Sequence, residues 1–256
     1  MGVKIYYSCT CDTGRLRSIN QDNFTCAGEC RDVNLNESVS RCNGMIEEES
    51  QAVFGVFDGL GGEEHGELAS WIAARTAGQW EISDDVEKSL AEYCDIVNKM
   101  ICRYADDHFI DAMGTTAAML VFRKGKYYVC NIGDSRVYRV EEDKLQQISL
   151  DHIFTGTKYR KAPLSQKLGQ KEGEGIIEPY EASGRCGAED CFLICSDGLT
   201  DMLPEDEIAE VLCTFDIETV ADELVRRALE AGGRDNVTAL VLLVRRSGLS
   251  RLREIF

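Results

Sequence analysis

An α+β sandwich is the fold class this sequence predicts: two antiparallel β-sheets packed back to back, flanked on both sides by pairs of α-helices. Three observations carry it. Segments with strand-like patterning follow one another through tight turns, which pairs neighbours antiparallel. Four amphipathic stretches arise in two separate pairs, and each pair needs a sheet face to cover. No Pro/Gly/Ser-rich linker and no internal repeat divides the 256 residues, so residues 1–246 read as a single domain and residues 247–256 as a short basic-apolar tail.

The opening strand runs from Lys4 to Cys11, with Ile5, Tyr7, Cys9 and Cys11 on one side at period two, and Asp12-Thr13-Gly14 turns the chain after it. Residues 28–51 are polar, with Asn43-Gly44 as a hairpin turn and an acidic run from Glu47 to Glu49; they read as a loop or hairpin insertion. Ala52 to Phe57 is a short buried strand that ends in Asp58-Gly59-Leu60-Gly61-Gly62, a glycine-rich turn into a helix from about His65 to Trp80. Ser83 as N-cap, with Asp84 and Asp85 as an acidic first turn, starts a second helix. Val86, Leu90, Tyr93, Val97, Ile101 and Tyr104 recur at steps of three and four and carry it to about Phe109. Strands then dominate: Thr116 to Arg123, Lys126 to Ile132, Arg136 to Val140 and Leu145 to Ser149, with Lys124-Gly125 as a turn. Residues 151–175 are polar and fit neither period. Strands resume at Ile176 to Ala182 and Cys191 to Ser196, helices follow at Pro204 to Cys213 and Ile217 to Ala231, and Gly232-Gly233 closes the second. Val237 to Val244 is the last buried strand.

A formal charge of -17, from 28 Lys+Arg against 45 Asp+Glu, repels a phosphate backbone and argues against nucleic acid as a partner. No apolar run approaches a membrane helix, so no membrane insertion is expected. Nor does the N-terminus read as a signal segment, and position 6 is Tyr, which breaks the myristoylation pattern. Twelve cysteines with no C-x-x-C pair then read as reduced thiols of a cytoplasmic protein.

Aspartates that end or follow these strands beside small or polar residues stand out: Asp22, Asp58, Asp197 and Asp235, with Asp134 in Gly-Asp-Ser-Arg. Taken singly, each is ordinary turn chemistry. As a set they offer hard oxygen ligands, which suit Mg²⁺ or Mn²⁺ and disfavour zinc. One carboxylate can bridge two such ions and leave an acidic water between them. Asp58 is the natural bridge, because Gly59 lets its own carbonyl approach a metal with no side chain in the way.

Six blocks in order, RSINQD from Arg17, DGLGG from Asp58, GTT from Gly114, GDSR from Gly133, SDGL from Ser196 and RDNVT from Arg234, resemble the metal-dependent protein phosphatases of the type 2C (PPM) family, bacterial type. The likeness spans almost the whole chain. It implies the type 2C phosphatase fold and metal-dependent hydrolysis of phosphoserine and phosphothreonine in proteins, by direct attack of a metal-bridging hydroxide without a phosphoenzyme. It implies two Mn²⁺ or Mg²⁺ ions, with Asp58 bridging and the Gly59 carbonyl contributing. Asp197 and Asp235 would bind one metal, Asp22 would act through metal-bound water, and Asp134 with Asp197 would complete a third, weaker site. Arg17 would hold the substrate phosphate, making Arg17 and Asp58 the catalytic pair. The expected partners are phosphorylated proteins, targets of a Ser/Thr kinase, acted on by a monomer.

Departures from the family pattern matter as much. Leu60 stands where many eukaryotic members carry histidine as leaving-group acid. His65 lies nearby but reads as a helix-surface residue, and His152 reads as structural. The segment before Leu164-Ser-Gln-Lys-Leu-Gly, a flap beside the active site in bacterial relatives, looks trimmed. The Cys-x5-Arg matches Cys9 to Arg15 and Cys130 to Arg136 are at the level of chance for this many cysteines. Two further readings remain open at this level: a pseudophosphatase that binds phosphoproteins as a regulator, and a small-molecule phosphomonoesterase on the same two-metal centre.

Overall fold

The computed structural model describes residues 3–35, 37–47, 51–60, 65–156, 162–187 and 189–246. One sheet is formed by β4 (Val39–Glu47), β1 (Val3–Asp12), β12 (Val237–Arg246), β11 (Glu189–Cys195), β8 (Arg136–Glu141) and β9 (Lys144–Gln147), in that order. The other runs β10 (Tyr180–Arg185), β7 (Lys126–Ile132), β6 (Ala117–Arg123), β5 (Ala52–Asp58), β2 (Asp22–Cys26) and β3 (Glu29–Cys30). Every pairing is antiparallel. Helices α1 (Gly66–Gln79) and α2 (Val86–Asp107) cover the second sheet, and α3 (Asp197–Thr200), α4 (Glu205–Thr214) and α5 (Val220–Glu230) cover the first.

Between the sheets lies a core that includes Ile5, Cys9, Phe54, Phe122, Phe192, Leu240 and Leu242. A relay of tilted and edge-on rings, Tyr7 to Phe54 to Phe122 to Phe192, crosses it and ties the two sheets together. The α-β-β-α expectation holds. All twelve cysteines are free thiols, most of them buried as small hydrophobes, including Cys9 and Cys130 of the discounted Cys-x5-Arg matches.

Several local expectations are corrected. Residues 39–47 are a strand rather than a loop, and Asn43-Gly44 pairs with Ser8 and Tyr7 of β1 instead of turning a hairpin. A Cβ at Gly44 would lie 2.6 Å from the Tyr7 hydroxyl, so this glycine clears a path for a ring rather than a turn for the backbone. Strand β2, unassigned from sequence, has all five residues buried and so shows no alternation. Strand β10 starts at Tyr180 rather than Ile176, because Pro179 has no N–H to give a ladder, and Ile176 is exposed. The N-cap of α2 is Asp85, which accepts the Lys88 N–H, while the Ser83 hydroxyl donates to the Asp85 carbonyl. Lys124-Gly125 does turn β6 into β7, both at positive φ. Among the described residues no helix is long and apolar enough to cross a membrane. The expected tail, residues 247–256, lies outside the described residues, as do Gly61 and Gly62.

Candidate metal and phosphate site

Register places the candidate residues together. Asp22 opens β2 directly opposite Asp58, which ends β5. Asp197 follows β11, Asp235 precedes β12, Asp134 joins β7 to β8, and Arg17 sits between β1 and β2. All these termini fall at one end of the sandwich, because Cys195 is paired with both Arg136 and Ala239, and Asp12 with Val237. There Arg17, Asp58, Gly59, Leu60, Asp134, Asp197 and Asp235 line a single cleft of about 300 Å³, closed on one side by Ala162, Pro163 and Leu164. That last wall belongs to the expected flap region. It is pinned by an Ile153–Leu164 bridge and by the Ser165 N–H on the His152 carbonyl, and residues 157–161 between lie outside the described residues.

The backbone around Asp58 is held from several sides. Its N–H donates to the Thr116 hydroxyl, and its carbonyl accepts from the Thr115 hydroxyl and the Thr116 N–H. Thr116 in turn bonds the Ser135 hydroxyl at 2.7 Å, linking this strand end to the loop that carries Asp134. Gly59 passes so close to its neighbours that a Cβ would meet the Gly66 carbonyl at 2.3 Å and the Gln21 carbonyl at 2.6 Å. Only glycine fits, because the chain passes against the start of α1 and the Gln21 backbone with no room for a side chain.

Asp22 lies behind this wall, 0 % exposed. Its Oδ2 accepts from the Ser196 hydroxyl at 2.7 Å and the Thr238 hydroxyl at 2.6 Å, while Oδ1 has no hydrogen-bond partner. Burial pushes its pKa up to about 6, and the hydroxyl bonds only partly offset it. Between the ordinary aspartate value, about 4, and that raised value, the folded chain keeps a proton that the unfolded chain has released. The contribution of Asp22 to stability is therefore greatest below about pH 4 and is lost as pH rises through 6. Chelator-treated wild type is expected to lose melting temperature across that window, and Asp22→Asn to lose less. Equal pH slopes for the two proteins, by calorimetry, would contradict this.

Arg17 forms a two-pronged pair with Asp235, Nε to Oδ1 and Nη2 to Oδ2, both at 2.8 Å. The pair is partly open to solvent, with side chains 40 % and 34 % exposed. The loop carrying Arg17 is fixed by Asn236, whose side-chain amide donates to the Thr13 and Ile19 carbonyls and whose Oδ1 accepts the Gln21 N–H. Sequence reasoning missed Asn236 as a positioning residue, along with Ser196 and Thr238. Their signal was present, since each lies in or beside a motif block.

The two histidines behave as structural groups. His152 accepts the Gly133 N–H on Nδ1 and donates its own N–H to the Gly133 carbonyl, clamping the turn before Asp134. Its burial lowers its pKa. His65, at φ 58 just before α1, faces Glu67 at 3.6 Å and does not line the cleft. Arg136 is bound by both Nε and Nη2 to Asp151 and so braces β8 rather than the cleft.

The residues fit a hard divalent cation. The cleft offers only oxygen ligands, and one carboxylate oxygen of Asp22 is buried behind it without a hydrogen-bond partner. Among the described residues no three acidic, His or Cys side chains converge tightly enough to enclose one ion as they stand, and Asp235 is turned onto Arg17. A ligand shell that included Asp235 would need that pair released.

A family model described as protein phosphatase 2C matches residues 41–232. The chain belongs to the protein phosphatase 2C family. Among curated relatives, this type 2C chain is 28% identical over 270 aligned positions to the serine/threonine phosphatase Stp of Listeria welshimeri, covering 95% of this chain and 96% of the relative. Among solved structures it resembles PppA, a regulatory component of the type VI secretion system in Pseudomonas aeruginosa, at TM-score 0.75 and 27% identity over 94% of this chain and 99% of that one. It is equally similar, at TM-score 0.75 and 25% identity over 95% and 100% of the two chains, to the catalytic domain of the serine/threonine protein phosphatase PstP in complex with two manganese ions. The type 2C fold expected from the six blocks is thus the fold observed.

Proposed function

We propose that this protein is a metal-dependent serine/threonine phosphatase that hydrolyses phosphoserine and phosphothreonine in proteins. The observation that carries it is the gathering of Arg17, Asp58, Asp134, Asp197 and Asp235, from five separate parts of the chain, around one cleft. The cofactor is a pair of Mn²⁺ or Mg²⁺ ions. Asp58 would hold both ions with the Gly59 carbonyl contributing, Asp197 and Asp235 would hold one of them, and Asp22 would support the centre from behind. Asp134 with Asp197 would hold a third, weaker ion.

Such ions supply Lewis acidity, making water a nucleophile at neutral pH and drawing charge from the phosphoryl oxygens. Arg17, freed from Asp235, offers its planar fork of donors to the phosphoryl group and orients it for in-line displacement. The Thr115 and Thr116 bonds keep Asp58 from drifting as charge builds. None of the described residues lining the cleft is a cysteine, serine or histidine, which supports hydrolysis in one displacement. With Leu60 in the cleft and His65 outside it, the leaving-group proton comes from water. Twelve free thiols fit a reducing cytosol, where the protein opposes a Ser/Thr kinase as a monomer.

Chelation tests the proposal. Turnover of p-nitrophenyl phosphate is expected to vanish in EDTA and to return on adding excess manganese. Turnover that survives thorough chelation would contradict it.

A further inference from the structure

A second cleft, of about 390 Å³, adjoins the catalytic one and shares Arg17 with it. It lies between the loop 13–20 and the stretches 31–35 and 37–38, and the buried charged side chain at its wall is Arg31, only 8 % exposed. The Arg31 guanidinium is satisfied poorly for so buried a charge. It donates from Nη1 to the Asn20 carbonyl at 3.1 Å and the Asp22 carbonyl at 3.3 Å, and its Nε is buried without a partner. Among the described residues no carboxylate forms an ion pair with it. A buried cation met only by carbonyl oxygens is an unfavourable arrangement unless an anion approaches. Ser18 and Ser38 on the same wall add hydroxyls that can donate.

We infer that this cleft is a subsite for one anionic group of the substrate, a carboxylate or a second phosphate close to the scissile phosphoresidue, held by Arg31. The inference rests on the phosphatase reading and deepens it to a substrate class: phosphopeptides with a neighbouring negative charge. Glu37 and Glu67 share the wall. They limit the subsite to a single anion, because a run of acidic residues would be repelled. The reach follows from the shared Arg17: the second charge lies within about three residues of the phosphothreonine, roughly 10 Å of extended chain.

The test uses the manganese-loaded protein and phosphothreonine peptides of alanine background, each with one Asp at a position before or after the phosphothreonine. At the matching position KM is expected to fall about tenfold with kcat unchanged, the effect of one charge-assisted hydrogen bond. A non-hydrolysable phosphoserine analogue at that position separates the two sources of the anion: a stronger gain than Asp assigns a second phosphate, an equal or weaker one a carboxylate. Arg31→Met should abolish the preference. If that variant does not fold, Glu37→Gln serves instead: with one wall carboxylate neutralised, the KM ratio between Ala and Asp peptides is expected to grow, and an unchanged ratio counts against the subsite. Wild type that hydrolyses p-nitrophenyl phosphate yet treats Asp and Ala peptides alike overturns the subsite and leaves the phosphatase reading intact. No manganese-dependent turnover of either substrate overturns both.

Discussion

Asp58→Asn is expected to lower manganese-dependent turnover of p-nitrophenyl phosphate by about a thousandfold, the scale of losing one preorganised electrostatic group at a reacting centre. The substitution keeps the shape of the side chain and every backbone bond at this strand end, from Thr115 and Thr116, so the fold should survive and the melting temperature of chelated protein should hardly move. What it removes is the negative charge at the position proposed to serve both cations. Asp58 faces Asp22 across the β2–β5 pair and lies near Asp235 in the same cleft, and such crowding of like charge is tolerable only when cations lie among them. A variant that folds and keeps wild-type turnover would remove Asp58 from the centre of the mechanism.

Arg17→Ala is expected to act in two opposite directions. Loss of a bidentate, charge-assisted contact to the phosphoryl group should lower kcat/KM by about a hundredfold. At the same time, manganese affinity measured by calorimetry without substrate should rise, by up to about fivefold, because Asp235 no longer has to release a guanidinium before taking an ion. The second effect is kept small here because the pair is partly solvated. An Arg17 that served only to brace Asp235 would show the affinity change without the loss of turnover. One that served only the phosphate would show the reverse.

How legible each part was follows from where the physical signal lies. Helix α2 announced itself because its buried positions, Leu90, Tyr93, Val97 and Ile101, repeat at the helical period, and their burial is local to one face. Strand β2 did not, since both its faces are covered and burial erases the alternation. Strand β4 was hidden by Asn43-Gly44, the strongest hairpin signal in the sequence, which here serves the Tyr7 ring of the neighbouring strand. That is a long-range fact with no local trace. At the site, Asp58, Asp134, Asp197 and Asp235 were visible beside small residues near legible strand boundaries, whereas Asp22, which opens the illegible β2, was visible through its motif block. The Asn236 amide, the Ser196 and Thr238 hydroxyls on Asp22, and the Arg17–Asp235 pair connect residues more than 170 positions apart, and only the folded chain reveals them.

Crystals of the protein soaked in manganese, with anomalous diffraction recorded, offer the most direct measurement. Two strong anomalous peaks roughly 3.5–4 Å apart, with the Asp58 carboxylate between them and Asp235 turned away from Arg17, are predicted. A map with no peak in the cleft, and Arg17 still clasping Asp235, would contradict the two-ion mechanism.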